Sequence, residues 1–328
     1  MRLSLRKLCL WILHPILVCV VVILFGLRNR VCDELPRAHV ELAETGTRLW
    51  LFNTFWLPDR TNSHHHEVEL AFLLNVANDA IDTVYFAFER THGTYGCKHL
   101  LTHLSGLMHT YAVQKTANVD CTAYARQPTY LDMFHLALAK VTSKDIAIIA
   151  NADMVFDSSA RIIHELQINQ AAVLATSGLY KAPRFIRDFY GNDFDLAGID
   201  VNSVAPDRCY APPTERTSWD AFIFHPADIH IADHTFVDEA TGAPFFMNQH
   251  GAENAALHAI MSSTGGLTTI QACDFIKMWH LHTTPKMHYN NSDEFVTAPA
   301  AAPAYGFDAH CHSFSRCESG LVDTNSTL

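Results

Sequence analysis

Asn151-Ala152-Asp153, Trp219-Asp220, Glu253 and the pair His280 and His282 are the residues whose types and settings could carry chemistry. Asp153 follows the apolar run Ile146-Ala147-Ile148-Ile149-Ala150, the pattern of a strand buried on both faces. An acid released at the end of such a strand is costly unless it is paired or bound to a metal. Asp220 stands just before a second short apolar run, Ala221-Phe222-Ile223-Phe224. Glu253 opens a helical pattern, and a carboxylate in a first helical turn is held ionised by the helix dipole, which suits a general base. In a strand, His280 and His282 would share one face, with Trp279 and Leu281 on the other. A carboxylate and an imidazole with open positions suit Mn²⁺ or a similar divalent ion. Taken singly, each feature also has a plain structural explanation, as a cap, a surface acid or a satisfied strand histidine.

The elements that must position these residues follow from periodicity. Arg48 to Phe55 reads as a first strand, Glu67 to Ala80 as a helix and Thr83 to Glu89 as a second strand ending in an acid. Lys98 to Met108 is a helix, Thr110 to Val113 a candidate strand, and Tyr130 to Val141 a helix leading into the central strand. Asp157-Ser158-Ser159 offers cap residues for the helical run through Ile162, Ile163 and Leu166. Gln170 to Thr176 is a further strand, Glu253 to Ile260 a helix, and Thr268 to Leu281 contains the last strand. Strands alternating with helices predict an α/β fold, a mostly parallel Rossmann-type sheet flanked by helices. In open sheets of this kind ligands bind at the carboxyl ends of the strands, where Asp153 falls. Pro58 to His66 reads as a loop whose His64-His65-His66 run is solvated, because adjacent histidines cannot all face one ion. The stretch from Pro183 to Pro213 is a long loop of the sort that shapes a substrate site.

With 328 residues, 49% hydrophobic and 17% charged, the chain has ample length for a folded core. A formal charge of −11 disfavours nucleic acid as a partner, since no basic surface exists to neutralise phosphates along a strand. Residues 8–27 carry no formal charge over a length that spans a bilayer. Arg2, Arg6 and Lys7 precede them, a modest bias that keeps the amino end cytosolic. A retained signal anchor is therefore expected over a cleaved signal peptide, with the remainder of the chain in a lumen. Of nine cysteines, Cys9 and Cys19 lie in that span, and the seven others suit an oxidising compartment. Cys311 and Cys317 close the shortest loop, although sequence leaves the connectivity open. Asn290-Asn291-Ser292 and Asn325-Ser326-Thr327 are glycosylation acceptors if that side is lumenal.

The order of the motifs resembles the lumenal glycosyltransferases of the GT-A, nucleotide-diphosphosugar transferase type, over roughly Trp50 to Tyr289. Asn151-Ala152-Asp153 is similar to that family's Asp-x-Asp motif, and Ser218-Trp219-Asp220 through Phe224 to a Ser-x-Asp-x-x-x-Phe segment of one branch. Gly251-Ala252-Glu253-Asn254 is similar to its Gly-x-acid-Asn block, and His280-Leu281-His282 to its carboxyl-terminal His motif. Arg126 and Pro128-Thr129-Tyr130 resemble the stretch before the metal strand. The resemblance implies transfer of a sugar from a nucleotide-diphosphate sugar, UDP- or GDP-linked, to a glycan or glycoprotein hydroxyl. Asp153 with His280 or His282 would hold Mn²⁺ (or Mg²⁺), and Asn151, Glu89 and Arg126 would contact the donor. Glu253, or Asp220, would deprotonate the acceptor, giving inversion; retention, which needs no such base, is the alternative. It also implies a type II Golgi or endoplasmic reticulum membrane protein: cytosolic tail 1–7, anchor 8–27, stem 28–46, catalytic domain 47–315 and tail 316–328. Two departures stand out. Asn151 occupies the place of the first motif acid, and Glu253 that of an Asp. They leave open an inactive, membrane-anchored binding or scaffold protein of the same fold, and a histidine-rich lumenal metal binder is a further alternative.

Overall fold

The computed structural model describes residues 46–56, 63–90, 95–114, 116–174, 219–231, 236–237, 244–247, 252–253, 256–257, 260, 267–273, 275–281, 305–307 and 321–323. The residues of the expected anchor, the Pro183 to Pro213 loop and His282 lie outside them. Among the described residues, no helix is long and apolar enough to cross a membrane.

A seven-stranded mixed sheet forms the frame, in the order β3-β2-β1-β4-β7-β6-β8. Its strands are β1 (Leu49–Trp56), β2 (Thr83–Glu89), β3 (Asn118–Tyr124), β4 (Ile146–Ala150), β6 (Gln170–Leu174), β7 (Ala221–Phe224) and β8 (Thr268–Gln271). β3, β2, β1 and β4 run parallel. β7 is antiparallel to both β4 and β6, and β6 and β8 are again parallel. The expected mostly parallel α/β sheet is thus present, with one reversed strand inside it.

Alternating side chains supply two separate cores, as the period of a strand requires. Ile146, Ile148 and Ala150 of β4 face one side with Leu49, Leu51 and Phe55 of β1; Ala147 and Ile149 face the other with Phe52. The first core is covered by α1 (Ser63–Val76) and α2 (Cys97–Thr110), the second by α3 (Tyr130–Lys140). Thr129 caps α3, accepting from the Asp132 amide while the Asp132 carboxylate accepts from the Thr129 amide at 2.8 Å. A disulfide joins Cys97, at the start of α2, to Cys121 in β3. Cys273 is also disulfide-bonded.

Several sequence expectations need correction. Thr110 to Val113 is not a strand but the end of α2 and a turn, and the strand of that region is β3. β3 lies at the sheet edge, where none of its residues is fully buried, so it lacks the apolar run that marks β4. Thr268 to Leu281 holds two strands, β8 and β9 (Met278–His280), separated by a turn in which the Phe275 and Ile276 amides donate to the Ala272 carbonyl. The histidine run does not sit in a loop, because α1 begins at Ser63. Nor is it all solvated: His65 is 8% exposed.

Candidate active site at the end of β4

The strand order reverses between β1 and β4, with β2 and β3 stacked on one side and β7 on the other. A crevice at such a switch point, outside the carboxyl ends of the strands, is the usual ligand position in an open α/β sheet. Asn53, a polar residue in the otherwise apolar β1, is 3% exposed and spans this junction. Its side-chain amide donates to the carbonyls of Ala150 at 2.9 Å and Asn151 at 3.1 Å. A buried donor with acceptors in reach is a fixed strut, since leaving it unpaired would cost about 1–3 kcal/mol.

Beyond that strut the chain turns and forms β5 (Met154–Phe156), which pairs antiparallel with β9 in the register Met154↔His280. Asn75 of α1 clamps β5 from outside the pair. Its Nδ2 donates to the Met154 carbonyl at 2.8 Å, and its Oδ1 accepts the Phe156 amide at 3.1 Å. Asn78 adds bonds to the Phe156 and Asp157 carbonyls. The β5–β9 ladder continues through the Leu281 amide to the Asp153 carbonyl at 3.0 Å. It therefore sets His280 beside Asp153, with Nε2 at 2.7 Å from Oδ2.

Three further carboxylates act on this pair. Asp220, 3% exposed, enters at the start of the reversed β7, where its carbonyl accepts the Asn151 amide at 3.1 Å. Its Oδ1 accepts from the Asn151 side chain at 3.2 Å. Glu253 is half-buried and hydrogen-bonds the side chain of Asn151. Glu67 of α1, 2% exposed, adds to the negative potential at His280.

These contacts set the protonation states. Loss of water alone would push the His280 imidazole down, but the Asp153 carboxylate, with help from Asp220 and Glu67, overrides this and lifts it to about 9. His280 is then an imidazolium at neutral pH. Burial, reinforced by the Asp220 charge, pushes the Glu253 carboxyl up to about 8 against the Asn151 hydrogen bond and the His280 charge. The expectation that a helix dipole keeps Glu253 ionised is thereby overturned, because removal from water and a like charge outweigh it. The residue instead titrates near neutrality, where a general base works best.

The remaining candidates lie apart from this cluster. Arg126 is engaged at the mouth of α3, its guanidinium donating to Asp132 at 2.6 and 3.1 Å and to the Gln127 carbonyl. Glu89 ends β2 on the same sheet edge, opposite Trp56 and Tyr124, and burial raises its carboxyl. His282 lies outside the described residues. Glu67, Asn53 and Asn75 are not among the sequence-derived candidates; Glu67 follows the histidine run, whereas Asn53 and Asn75 are polar residues next to apolar ones in a buried element. That contrast was the available signal.

No protein-family model and no curated protein sequence matches the chain. Among solved structures it is similar to 4-diphosphocytidyl-2C-methyl-D-erythritol synthase of Anaerococcus prevotii, at 13% identity and a TM-score of 0.32 over 56% of this chain and 73% of that one. The glycosyltransferase GlyE of Streptococcus pneumoniae is similar at 8% identity and a TM-score of 0.30, over 56% of this chain and 35% of that one. Mouse xyloside xylosyltransferase 1 is similar at 9% identity and a TM-score of 0.29, over 55% and 67% of the two chains. Glycosyltransferases and a synthase therefore occur among its structural neighbours, but likeness at these scores carries no weight for activity. What the chain does has to be read from the residues at the end of β4.

Proposed function

We propose that the chain is a metal-dependent glycosyltransferase that uses a nucleotide-diphosphate sugar as donor. The observation that carries this is the convergence of Asp153, His280, Asp220 and Glu253 at the β1–β4 switch point. Four acids, counting Glu67, surround one imidazolium there, so the donor set has negative charge to spare for a divalent cation. Asp153 and His280 would hold it, and a cation with only two protein ligands suits a site whose remaining ligands are substrate phosphates. Mn²⁺ or Mg²⁺ held there would supply positive charge against the leaving diphosphate.

The chain's own residues do the rest. To hold a cation His280 would be neutral, its proton released to solvent, with Asp153 beside it as the second ligand. Asn151, tied to both Asp220 and Glu253, holds these two acids at a fixed spacing. Glu253 takes the acceptor hydroxyl's proton, its raised affinity for protons matching the task. A base on the acceptor side gives inversion at the anomeric carbon. The acceptor is a glycan or glycoprotein hydroxyl, and residues 8–27 anchor the chain in a Golgi or endoplasmic reticulum membrane with the site in the lumen.

Donor hydrolysis across a panel of UDP- and GDP-linked sugars, with and without Mn²⁺, tests this. One donor should turn over only with the cation, and Asp153→Ala should abolish that turnover while circular dichroism stays native. Undiminished turnover in Asp153→Ala refutes the assignment.

A further inference from the structure

A second convergence lies between α1 and α2. His65 and Glu69 are one helical turn apart on α1, and His103 comes from α2. His65 Nε2 is 2.9 Å and His103 Nε2 2.7 Å from the same oxygen, Glu69 Oε1. Among the described residues these form the group of at least three possible ligands whose donor atoms all lie within 4.8 Å of one another.

The surroundings hold this geometry in place. His66 Nδ1 takes the other carboxylate oxygen, Oε2, at 3.3 Å, which leaves Oε1 turned toward the two imidazoles. Phe55 packs edge-on against the His65 ring with centroids 5.7 Å apart, and the rings of His65 and His103 stack at 6.1 Å with planes inclined by 29°. The disulfide of Cys97 fixes the start of α2 independently of any ion. His65 and Glu69 are buried, whereas the His103 side chain is 36% exposed, so the group opens to water on one side.

We propose that His65, Glu69 and His103 form a zinc-type divalent-cation site that ties α1 to α2. Two imidazole nitrogens and one carboxylate oxygen, with an open position facing solvent, make a common three-ligand set for Zn²⁺. Bonds of about 2.0–2.1 Å in tetrahedral directions place ligand atoms roughly 3.3 Å apart, so each nitrogen has only to withdraw about 0.5 Å from Oε1. The site is independent of the nucleotide-sugar assignment. Glu69 and Glu67 are two residues apart on α1 and so point to different sides of it. The same helix thus serves the Asp153–His280 pair on one flank and the cation on the other. The histidine run supplies one ligand and one support, and it is the helical rotation between neighbours that divides those roles.

Calorimetric titration of Zn²⁺ into the full chain, stripped of metal by chelator, tests the proposal. One tight equivalent is expected, accompanied by a rise in the thermal unfolding midpoint. His103→Ala, a change at a partly exposed position, should weaken that equivalent at least 30-fold, as should Glu69→Gln. Asp153→Ala should leave it within about twofold. The proposal is overturned if the native chain takes up no tight equivalent, if His103→Ala and Glu69→Gln bind as the native chain does, or if only Asp153→Ala abolishes uptake. Should Glu69→Gln fail to fold, the His103→Ala titration decides alone.

Discussion

His280 and Asp153 stand 127 residues apart in the chain and 2.7 Å apart in the fold. Their side chains are 14% and 7% exposed, so the pair is nearly dry. Removing either partner leaves the other charge buried without its counterion, the costly way to break such a pair. Asp153→Asn and His280→Ala should each destabilise the chain by about 3 kcal/mol. The double variant should cost clearly less than their sum, as for residues sharing one interaction. Urea denaturation of all four proteins measures the coupling; additive losses would show that the two groups do not depend on one another.

Glu253 offers a test in which stability and activity move in opposite directions. Its folded-state carboxyl is raised to about 8, above its unfolded value of 4.5. The stability it contributes as a neutral acid is fully present below that unfolded value and is lost as pH climbs through about 8. Glu253→Gln should therefore raise stability relative to the native chain at pH 8–9, by on the order of 2 kcal/mol, and change it little at pH 4. Donor transfer to acceptor should fall at least 100-fold in the same variant, the range of a lost general base. A thermal-shift series across pH, set beside initial rates, reads both effects.

Asp145 behaves in the contrary sense. It is 1% exposed yet accepts the Arg48 amide at 2.9 Å, the Arg48 guanidinium at 2.9 Å and the Thr142 hydroxyl at 3.0 Å. Burial alone would raise its carboxyl, but these bonds hold it below the ordinary carboxylate range. Its contribution is present above the unfolded value and is lost as pH falls through the lower folded one. Asp145→Asn should cost about 2 kcal/mol at pH 7 and make acid unfolding less steep, which acid titration followed by circular dichroism would reveal.

Asn53→Leu should separate folding from chemistry. Leucine leaves the carbonyls of Ala150 and Asn151 without their shared donor, at a cost of about 1–3 kcal/mol. The sheet survives that loss, while the turn carrying Asp153 loses its strut. Stability by denaturation should fall modestly, and donor turnover should fall at least tenfold. Unchanged turnover would mean that the turn is held by β5 alone.

What was legible in the sequence was whatever repeats locally. β1, β2, β4, α2 and α3 announce themselves through apolar periodicity, and Asp153 through its place after a buried run. β3 does not, because at the sheet edge Val119, Cys121 and Ala123 are only partly buried against the core and polar residues fill the places between. His65 was hidden by its neighbours: a row of histidines looks solvated until the helix turns one of them inward toward Glu69, four residues on. Glu253 shows the other limit. Its helical setting can be read from a few residues, but the carboxylate that raises its proton affinity, Asp220, comes from a different strand.

The reversed direction of β7 has a consequence for how this protein can fail. Because β7 opposes its neighbours, its beginning meets the place where β4 stops, and Asp220 is the last rung before the strands part. Sliding β7 by a single residue would turn Phe222 and Phe224 away from α3 and carry Asp220 off its station beside Asn151. A small insertion or deletion here cannot spare the acids beside Asn151 while damaging only the core, nor the reverse. Misalignment and inactivity would arrive together.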